Sequence, residues 1–440
     1  MPSWTGARAL PRVLAALVPL AAAQEDVRWT QAELERVSLE IMADLERLRG
    51  ERFLRPVAVK VCSKPELIEY VKKREAKLLS PERLAADELI AKMLGVVPPD
   101  LDLRARTYAL LESQVAGFYD PDTDSFSLME TLPMALTKIT LAHELDHALD
   151  DQLFDIDGTL ERLGQDSDAT FAYQAVVEGA GTAVMTQWML QAKDGLDLGA
   201  LSEKQLEDLS SMSGAPDWLW KPLMAVYTGG AAFLAKTGSM LTGSSAPLDG
   251  AVVRTAFTQP PRSTEQVLHP DKYWKEDQRD EPRGIRADAA KLGSGWTVLR
   301  EDTLGELLIG IVTTPRELRD ETDFENPMAL LGVKFTNAVA SGWGGDRIVL
   351  AGKDAARVLC WVSAWDSPRD AGEFFGALQQ QLPALEAAAQ ALSGDQATDS
   401  GASLEYGEGP DEVVLVVRVR ASRGDANRVE RGLAWTIEAR

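Results

Sequence analysis

The segment "LAHELDHALDDQ", residues 141–152, contains two of the chain's three histidines, four residues apart, with a glutamate between them. A helix advances about 100° per residue, so His143 and His147 lie one turn apart on the same face. Two imidazoles placed in this way can both bind a Zn²⁺ ion at about 2.0–2.1 Å. Glu144 would then point at a zinc-bound water without binding the ion, and there it can act as general base.

The alternative is a surface helix that carries two solvated histidines. Chance alone seldom places H-E-x-x-H in a chain so poor in histidine. The neighbouring side chains also argue against a solvated helix, because they are apolar: Leu141, Ala142, Leu145, Ala148 and Leu149.

A catalytic zinc site needs a third protein ligand, and no histidine follows until His269. Glu178 is the only charged residue between Ala169 and Ala192, in a segment predicted to be a helix that Asp168 can cap. A carboxylate buried there would cost several kcal/mol unless a cation neutralised it, and zinc would do so. We therefore predict Glu178 as the third ligand, with an exposed helix edge as the alternative reading. Asp166 and Asp168 are the next candidates.

With His143, Glu144, His147 and Glu178 in place, the chain resembles the gluzincin type of zinc metallopeptidase. More narrowly, it resembles a family of uncharacterised exported bacterial HExxH proteins. The stretches that carry this resemblance are "VAGFYDPDTDSFSL", "LAHELDHALDDQLFD", "VVEGAGTA", "PPRSTEQVLHPDKY" and "GWGGDR".

This resemblance implies further roles around the zinc. Gluzincins often have an acidic residue four positions after the third ligand, but Thr182 stands there. Asp151 could orient a ligand histidine instead, or it could be a solvated helix-end residue. His269 and Tyr273 are candidates for stabilising the oxyanion, with a structural histidine before a proline turn as the alternative.

The resemblance also implies an edge strand before the zinc helix that receives an extended substrate by strand addition. Two β-like runs, residues 115–119 and 125–129, flank a turn just before the helix. We expect the second of them, Ser125–Met129, to be that edge.

The first residues have the pattern of a secretory signal peptide. Arg8 and Arg12 precede a short apolar run, and Ala21–Ala23 fits an A-x-A cleavage site, which predicts Gln24 as the mature N-terminus. The apolar run is too short to span a bilayer. We therefore expect a secreted or periplasmic protein without stable membrane insertion after cleavage.

The net charge of −22 argues against nucleic acid and anionic membranes as partners. Cys62 and Cys360 could pair in an oxidising compartment or remain two buried thiols.

The charged stretch "KEDQRDEPRG", residues 275–284, lacks apolar periodicity and is interpreted as a boundary. The predicted organisation is a signal peptide (1–23), a zincin-like metallopeptidase domain (24–280) and an α+β C-terminal domain of unassigned role (285–440). The predicted fold class is α+β. The first domain is expected to be mostly helical with a small mixed sheet.

The leading hypothesis is an exported zinc-dependent peptidase that binds one Zn²⁺ per chain and acts on a peptide or protein substrate. Its rival is a non-catalytic envelope or binding protein with a structural zinc site. A hydrolase that acts on non-peptide substrates with the same zinc is a third possibility.

Overall fold

A computed structural model describes residues 29–78, 80–114, 117–120, 123, 125–129, 134–164, 166–191, 214–237, 247–315, 318–319, 322, 324, 332–394, 399–407, 409 and 411–438. The predicted signal peptide lies outside these residues. Helices and sheets both form extensive parts of the chain, so the predicted α+β class is confirmed.

The part of the chain before residue 280 is mainly helical. Its first helix, α1 (Gln31–Arg49), begins in a capping box: the Thr30 hydroxyl accepts the Glu33 amide, and the Glu33 carboxylate accepts the Thr30 amide. The other helices are α2 (Lys64–Leu78), α3 (Pro81–Met93), α4 (Leu103–Gln114), α5 (Met134–Phe154), α6 (Ile156–Leu163), α7 (Ser167–Gln191), α8 (Asp217–Met224), α9 (Gly230–Leu234), α10 (Gly250–Thr258), α11 (Thr264–Leu268) and α12 (Asp271–Trp274). A five-residue π-helix (Ala225–Gly229) joins α8 to α9, and a 3₁₀ turn (Glu276–Gln278) follows α12.

A three-stranded sheet packs near α5 and shares an apolar core with it. Its strands are β1 (Ala58–Cys62), β2 (Gly117–Asp120) and β3 (Ser125–Met129), in the order β1-β3-β2. The predicted hairpin is present as the antiparallel pair β2–β3. The expectation that Ser125–Met129 is the edge strand is wrong. This strand, β3, lies in the middle of the sheet, because β2 pairs with one side of it and β1 pairs in parallel with the other. Strand β2, which contacts α5, lies at the end of the described sheet.

The C-terminal part is built on a five-stranded antiparallel sheet. Its strands and helices, with a further two-stranded sheet, are β4 (Ile285–Asp288), β5 (Thr297–Asp302), α13 (Gly305–Thr313), β6 (Trp343–Lys353), β7 (Ala356–Trp365), α14 (Pro368–Ser393), β8 (Gly401–Tyr406), β9 (Glu412–Val419), α15 (Arg423–Gly432) and β10 (Ala434–Ile437). The strand order in the five-stranded sheet is β5-β6-β7-β9-β8. Apolar residues on one face of it pack against α14, and those on the other face pack against α15 and the two-stranded β4–β10 sheet.

The apolar core of this sheet includes residues from the earlier part of the chain. Helix α3 and the turn after it contribute Ile90, Met93 and Val97, which pack with Leu350 and Trp361 of the sheet. The two parts of the chain on either side of residues 275–284 therefore share a continuous buried interface.

Two further observations concern the whole described chain. No helix among the described residues is both long enough and apolar enough to cross a bilayer. Cys62 and Cys360 are both buried and are not joined in a disulfide, in agreement with the second of the two alternatives for the cysteines.

Candidate metal centre

The two motif histidines lie on a buried face of α5. Their Nε2 atoms are 2.9 Å apart, and the residues are 0% (His143) and 8% (His147) exposed. The apolar neighbours of the motif are fully buried as well. The HExxH segment is therefore part of the protein core, which is the opposite of a solvated surface helix.

The carboxylate of Glu178 joins these histidines from the neighbouring helix α7. Its Oε2 atom is 3.2 Å from Nε2 of His143 and 3.2 Å from Nε2 of His147, and the residue is 2% exposed. Donor atoms bound tetrahedrally to zinc at 2.0–2.1 Å lie about 3.3 Å apart. The three donors thus have the chemistry and the mutual spacing of a zinc ligand set.

Glycines allow α7 to approach this closely. A Cβ atom at Gly181 would lie 2.8 Å from Cε1 of His143 and 3.0 Å from Cε1 of His147. A Cβ at Gly179 would lie 2.3 Å from the backbone of Gly230, and a Cβ at Gly230 would lie 1.9 Å from the carbonyl oxygen of Ala175. The glycines after Glu178 therefore set the distance of its helix from the histidines and from α9.

We expect Gly181→Ala to weaken Zn²⁺ affinity by ~10-fold or more, because the added methyl group must displace the imidazole rings. Helix propensity would by itself favour alanine by about 1 kcal/mol, so a loss of affinity cannot come from a weaker helix. Gly376→Ala in α14 is the matched control, because its Cβ position is open. Competition with a chromophoric chelator measures both affinities, and equal values would show that the rings have room to spare.

The buried charges in the site compensate one another. Burial would lower the pKa of His147, but the Glu178 carboxylate and its hydrogen bond outweigh this effect and raise the pKa to about 9. Burial would raise the pKa of Glu178, but His147 and the hydrogen bonds from both histidines lower it to about 2. The site thus contains a buried carboxylate that is stable only beside a cation, which here is protonated His147.

Glu144 lies beside these donors, and one of its carboxylate oxygens is within 4.8 Å of a ring nitrogen of each histidine. It is fully buried, and neither carboxylate oxygen has a hydrogen bond of good geometry within the described structure. Burial is the main cause that raises the pKa of Glu144 to about 8, and the charge of Glu178 raises the pKa further. The charge of His147 and the nearby backbone of Tyr119 on β2 lower the pKa and so oppose this rise. A buried carboxyl of this kind, beside two histidines and β2, is suited to proton transfer.

Sequence reasoning missed Tyr227, which the π-helix places over the site. Its ring stacks on that of His143 with centroids 5.8 Å apart, and its side chain lies close to Glu178. Burial, followed by the charges of Glu178 and Glu144, raises its pKa well above the usual value. The hydroxyl therefore stays protonated and can donate a hydrogen bond. The only signal in the sequence is the Gly229–Gly230 pair, which permits the close crossing with α7.

The residues predicted to stabilise the oxyanion have other contacts in the structure. His269 Nε2 is 2.8 Å from Oε1 of the buried Glu306, and the Tyr273 hydroxyl donates to the carbonyl oxygen of Gln259. Asp151 accepts a hydrogen bond from the amide of Ile156 at 3.2 Å, where α6 begins. None of these contacts involves the ligand set.

A buried ion cluster, also missed, attaches α5 to α1. The Arg49 guanidinium is 2.5 Å from Asp146 and 2.5 Å from Asp150, and all three side chains are almost fully buried. The negative charge of Asp146 also favours the protonated forms of His143 and His147. Removing one partner of such a cluster typically costs 3–5 kcal/mol, because the remaining buried charge loses its compensation, so these contacts join α5 to α1 specifically.

A second group of carboxylates, Glu265, Asp280 and Asp366, has metal-like spacing. The ammonium of Lys272 lies among them, at 2.6 Å from Glu265, 3.0 Å from Asp280 and 3.1 Å from Asp366. This lysine is a cation that pairs with all three carboxylates.

The profile of a domain of unknown function, DUF8575, matches residues 296–434. This segment contains all five strands of the C-terminal sheet and neither the HExxH motif nor Glu178. Comparisons with curated proteins and with solved structures find no significant match.

Proposed function

We propose that the protein is a zinc-dependent peptidase of the gluzincin type, with His143, His147 and Glu178 as the metal ligands. The observation that carries this proposal is the convergence of three buried donors from two helices, with the buried Glu144 carboxyl group beside them. A bound zinc ion supplies Lewis acidity towards a carbonyl oxygen and lowers the pKa of a coordinated water.

The protein's own residues then have distinct tasks. Glu144 takes a proton from the attacking water and returns it to the leaving nitrogen. The Tyr227 hydroxyl, held beside Glu178, donates a hydrogen bond to the oxygen on which negative charge develops. In this proposal Tyr227 replaces His269 and Tyr273, whose contacts lie elsewhere.

The position of β2 at the end of the described three-stranded sheet supports a peptide as the substrate. An extended chain can add to the last strand of a sheet through backbone hydrogen bonds, and the backbone of Tyr119 on that strand lies near Glu144. A peptide added to β2 would run beside the carboxyl group proposed as general base. His147 is the most exposed residue of the motif and marks the side from which substrate would enter.

The proposal is tested with the full chain and an unfolded protein substrate such as casein carrying a fluorophore. Cleavage should stop when a chelator removes the metal and should return when Zn²⁺ is added to slight excess. Cleavage that persists in the chelator at the same rate, or metal-loaded protein that cleaves none of a broad set of peptides, would contradict peptidase activity.

We expect Tyr227→Phe to lower kcat by about 10²–10³-fold, the usual cost of removing one oxyanion donor. The ring and its stacking on His143 remain, so Zn²⁺ affinity should change little by comparison. Tyr273→Phe is the matched control, because it removes a buried hydroxyl that bonds to the Gln259 carbonyl. If Tyr273→Phe lost activity and Tyr227→Phe did not, the assignment of the oxyanion donor would be reversed.

A further inference from the structure

The N-terminal end of the Glu178 helix is held by residues from the C-terminal part of the chain. The Ser167 amide donates to Oδ1 of Asp302 at 2.9 Å, and the Ser167 hydroxyl donates to Oδ2 of the same residue at 2.6 Å. The Thr303 hydroxyl donates to Asp166 at 3.0 Å. The first amides of a helix lack partners within the helix, so Asp302 supplies one from 135 residues away.

Asp168 makes a second connection one residue further along. Its carboxylate accepts hydrogen bonds from the amide and the hydroxyl of Thr264, so it does not cap its own helix as the sequence predicts; Asp166 caps the Ala169 amide instead. A Cβ atom at Gly305 would lie 1.8 Å from Oδ1 of Asp168. The φ of Gly305 is +72°, so glycine is required there for conformation as well as for space.

The loop that carries these contacts is fixed to the C-terminal sheet by Asp346. This carboxylate accepts the amides of Leu304 and Gly305 at 3.1 and 2.9 Å, and the indole N–H groups of Trp343 and Trp361 at 3.0 Å each. Burial raises the pKa of Asp346 to about 6, and the four donors oppose that rise. Asp346 therefore connects β6 and β7 to the loop that contacts α7.

The contacts at Ser167 and Asp168 are distant from the proposed metal centre, but they lie on α7, the same helix that carries Glu178. Ser167 precedes Glu178 by eleven residues, which is about 16 Å along a helix. The crossing at Gly179 and Gly230 determines how close α7 lies to its neighbours. The contacts at the first turn of α7 determine the position of the helix along its own axis. Because metal–ligand distances are tolerated only within about 0.2 Å, a small axial shift of α7 would move the Glu178 carboxylate off the ion.

We propose that Asp302 is a positioning residue through which the C-terminal sheet, in the region matched by DUF8575, holds the third metal ligand in place. This inference rests on the proposed metal site and gives the C-terminal domain a role within it: the domain sets the geometry of the metal centre. The residues that carry it are Asp302, Ser167, Asp168, Gly305 and Asp346.

The test uses the full chain with Co²⁺ and Zn²⁺ as probes, at a temperature well below unfolding. We expect Asp302→Ala to weaken Zn²⁺ affinity by ~10-fold or more and to change the visible absorption of the Co²⁺-loaded protein, which reports the ligand geometry. Ser167→Ala is the milder second variant, since it removes only the hydroxyl bond and should shift affinity in the same direction. Glu301→Gln is the matched control, because this neighbouring side chain pairs with Arg347, 2.8 Å away within the sheet.

The outcomes are distinguishable. If the parent binds one Co²⁺ and all three variants give its affinity and spectrum, the positioning role is wrong and the metal site stands. A fall in melting temperature of the metal-free variants, with unchanged metal affinity and spectrum, would also overturn it, because Asp302 would then be structural only. If the parent binds no metal, both this inference and the proposed function fail.

Discussion

Glu144→Gln should lower peptide hydrolysis by about 10²–10⁴-fold while the protein folds and binds Zn²⁺ as the parent does. The substitution keeps the size of the side chain and removes its ability to take a proton. Glu144 is assigned to the water and not to the metal, so the loss of activity should come without loss of metal. Steady-state hydrolysis of the same peptide, combined with metal analysis of the same sample, measures both effects.

Glu144→Asp serves as the companion variant. It keeps the carboxylate but withdraws it by one methylene, so its activity should lie between those of the parent and Glu144→Gln. A Glu144→Gln protein as active as the parent on a chelator-sensitive substrate would rule out Glu144 as the base.

The second large effect is expected for Glu178→Ala, which should lower Zn²⁺ affinity by more than ~100-fold. Loss of a direct ligand should exceed the 10–100-fold cost of losing a group that only orients a ligand. The metal-free protein should also change, because His147 would lose the carboxylate that keeps its pKa near 9. Equilibrium dialysis against Zn²⁺ measures the affinity, and histidine NMR signals follow the titration.

Glu306→Ala is the matched control for Glu178→Ala. Glu306 is also a fully buried carboxylate hydrogen-bonded to a histidine, but that histidine is His269. This control should lose stability and keep its metal. If Glu178→Ala and the parent bound Zn²⁺ equally well, the third ligand would have to be a residue other than Glu178.

The central residues of the site could be predicted because the evidence for them lies within short stretches of sequence. The spacing of His143 and His147 determines their common face on any helix, and an isolated glutamate in an apolar helix needs a buried cation. These two arguments use only helix periodicity and the cost of burying a charge. The expected proximity of Glu178 to both histidines follows from them.

The parts that could not be predicted depend on contacts between distant segments. Tyr227 lies in a stretch that has the sequence of an ordinary apolar helix, and the π-turn that directs it to His143 leaves no periodic signal. His269 and Tyr273 looked equally suitable by residue type, but packing against Glu306 and Gln259 decides where they lie.

Sheet order and domain contacts were hidden for the same reason. The hairpin β2–β3 was visible in the sequence, but which of its strands lies at the end of the described sheet depends on β1, more than fifty residues earlier. The hydrogen bonds from Ser167 to Asp302 link positions with no sequence pattern in common. The boundary at residues 275–284 therefore separates the chain in sequence, whereas buried polar bonds join its two sides in space.

The main rival to catalysis is a structural zinc site in a non-catalytic protein. Both accounts place zinc between the same three side chains, and they differ in the fourth position. Catalytic zinc sites keep one position for water or substrate, and structural sites fill all four with protein.

The most direct test is a crystal structure of the zinc-loaded protein with anomalous scattering recorded at the zinc edge. The account predicts one ion bound by Nε2 of His143, Nε2 of His147 and the Glu178 carboxylate, with a non-protein fourth ligand within hydrogen-bond reach of Glu144. An ion with four protein ligands, or no ion between these three residues, would contradict it.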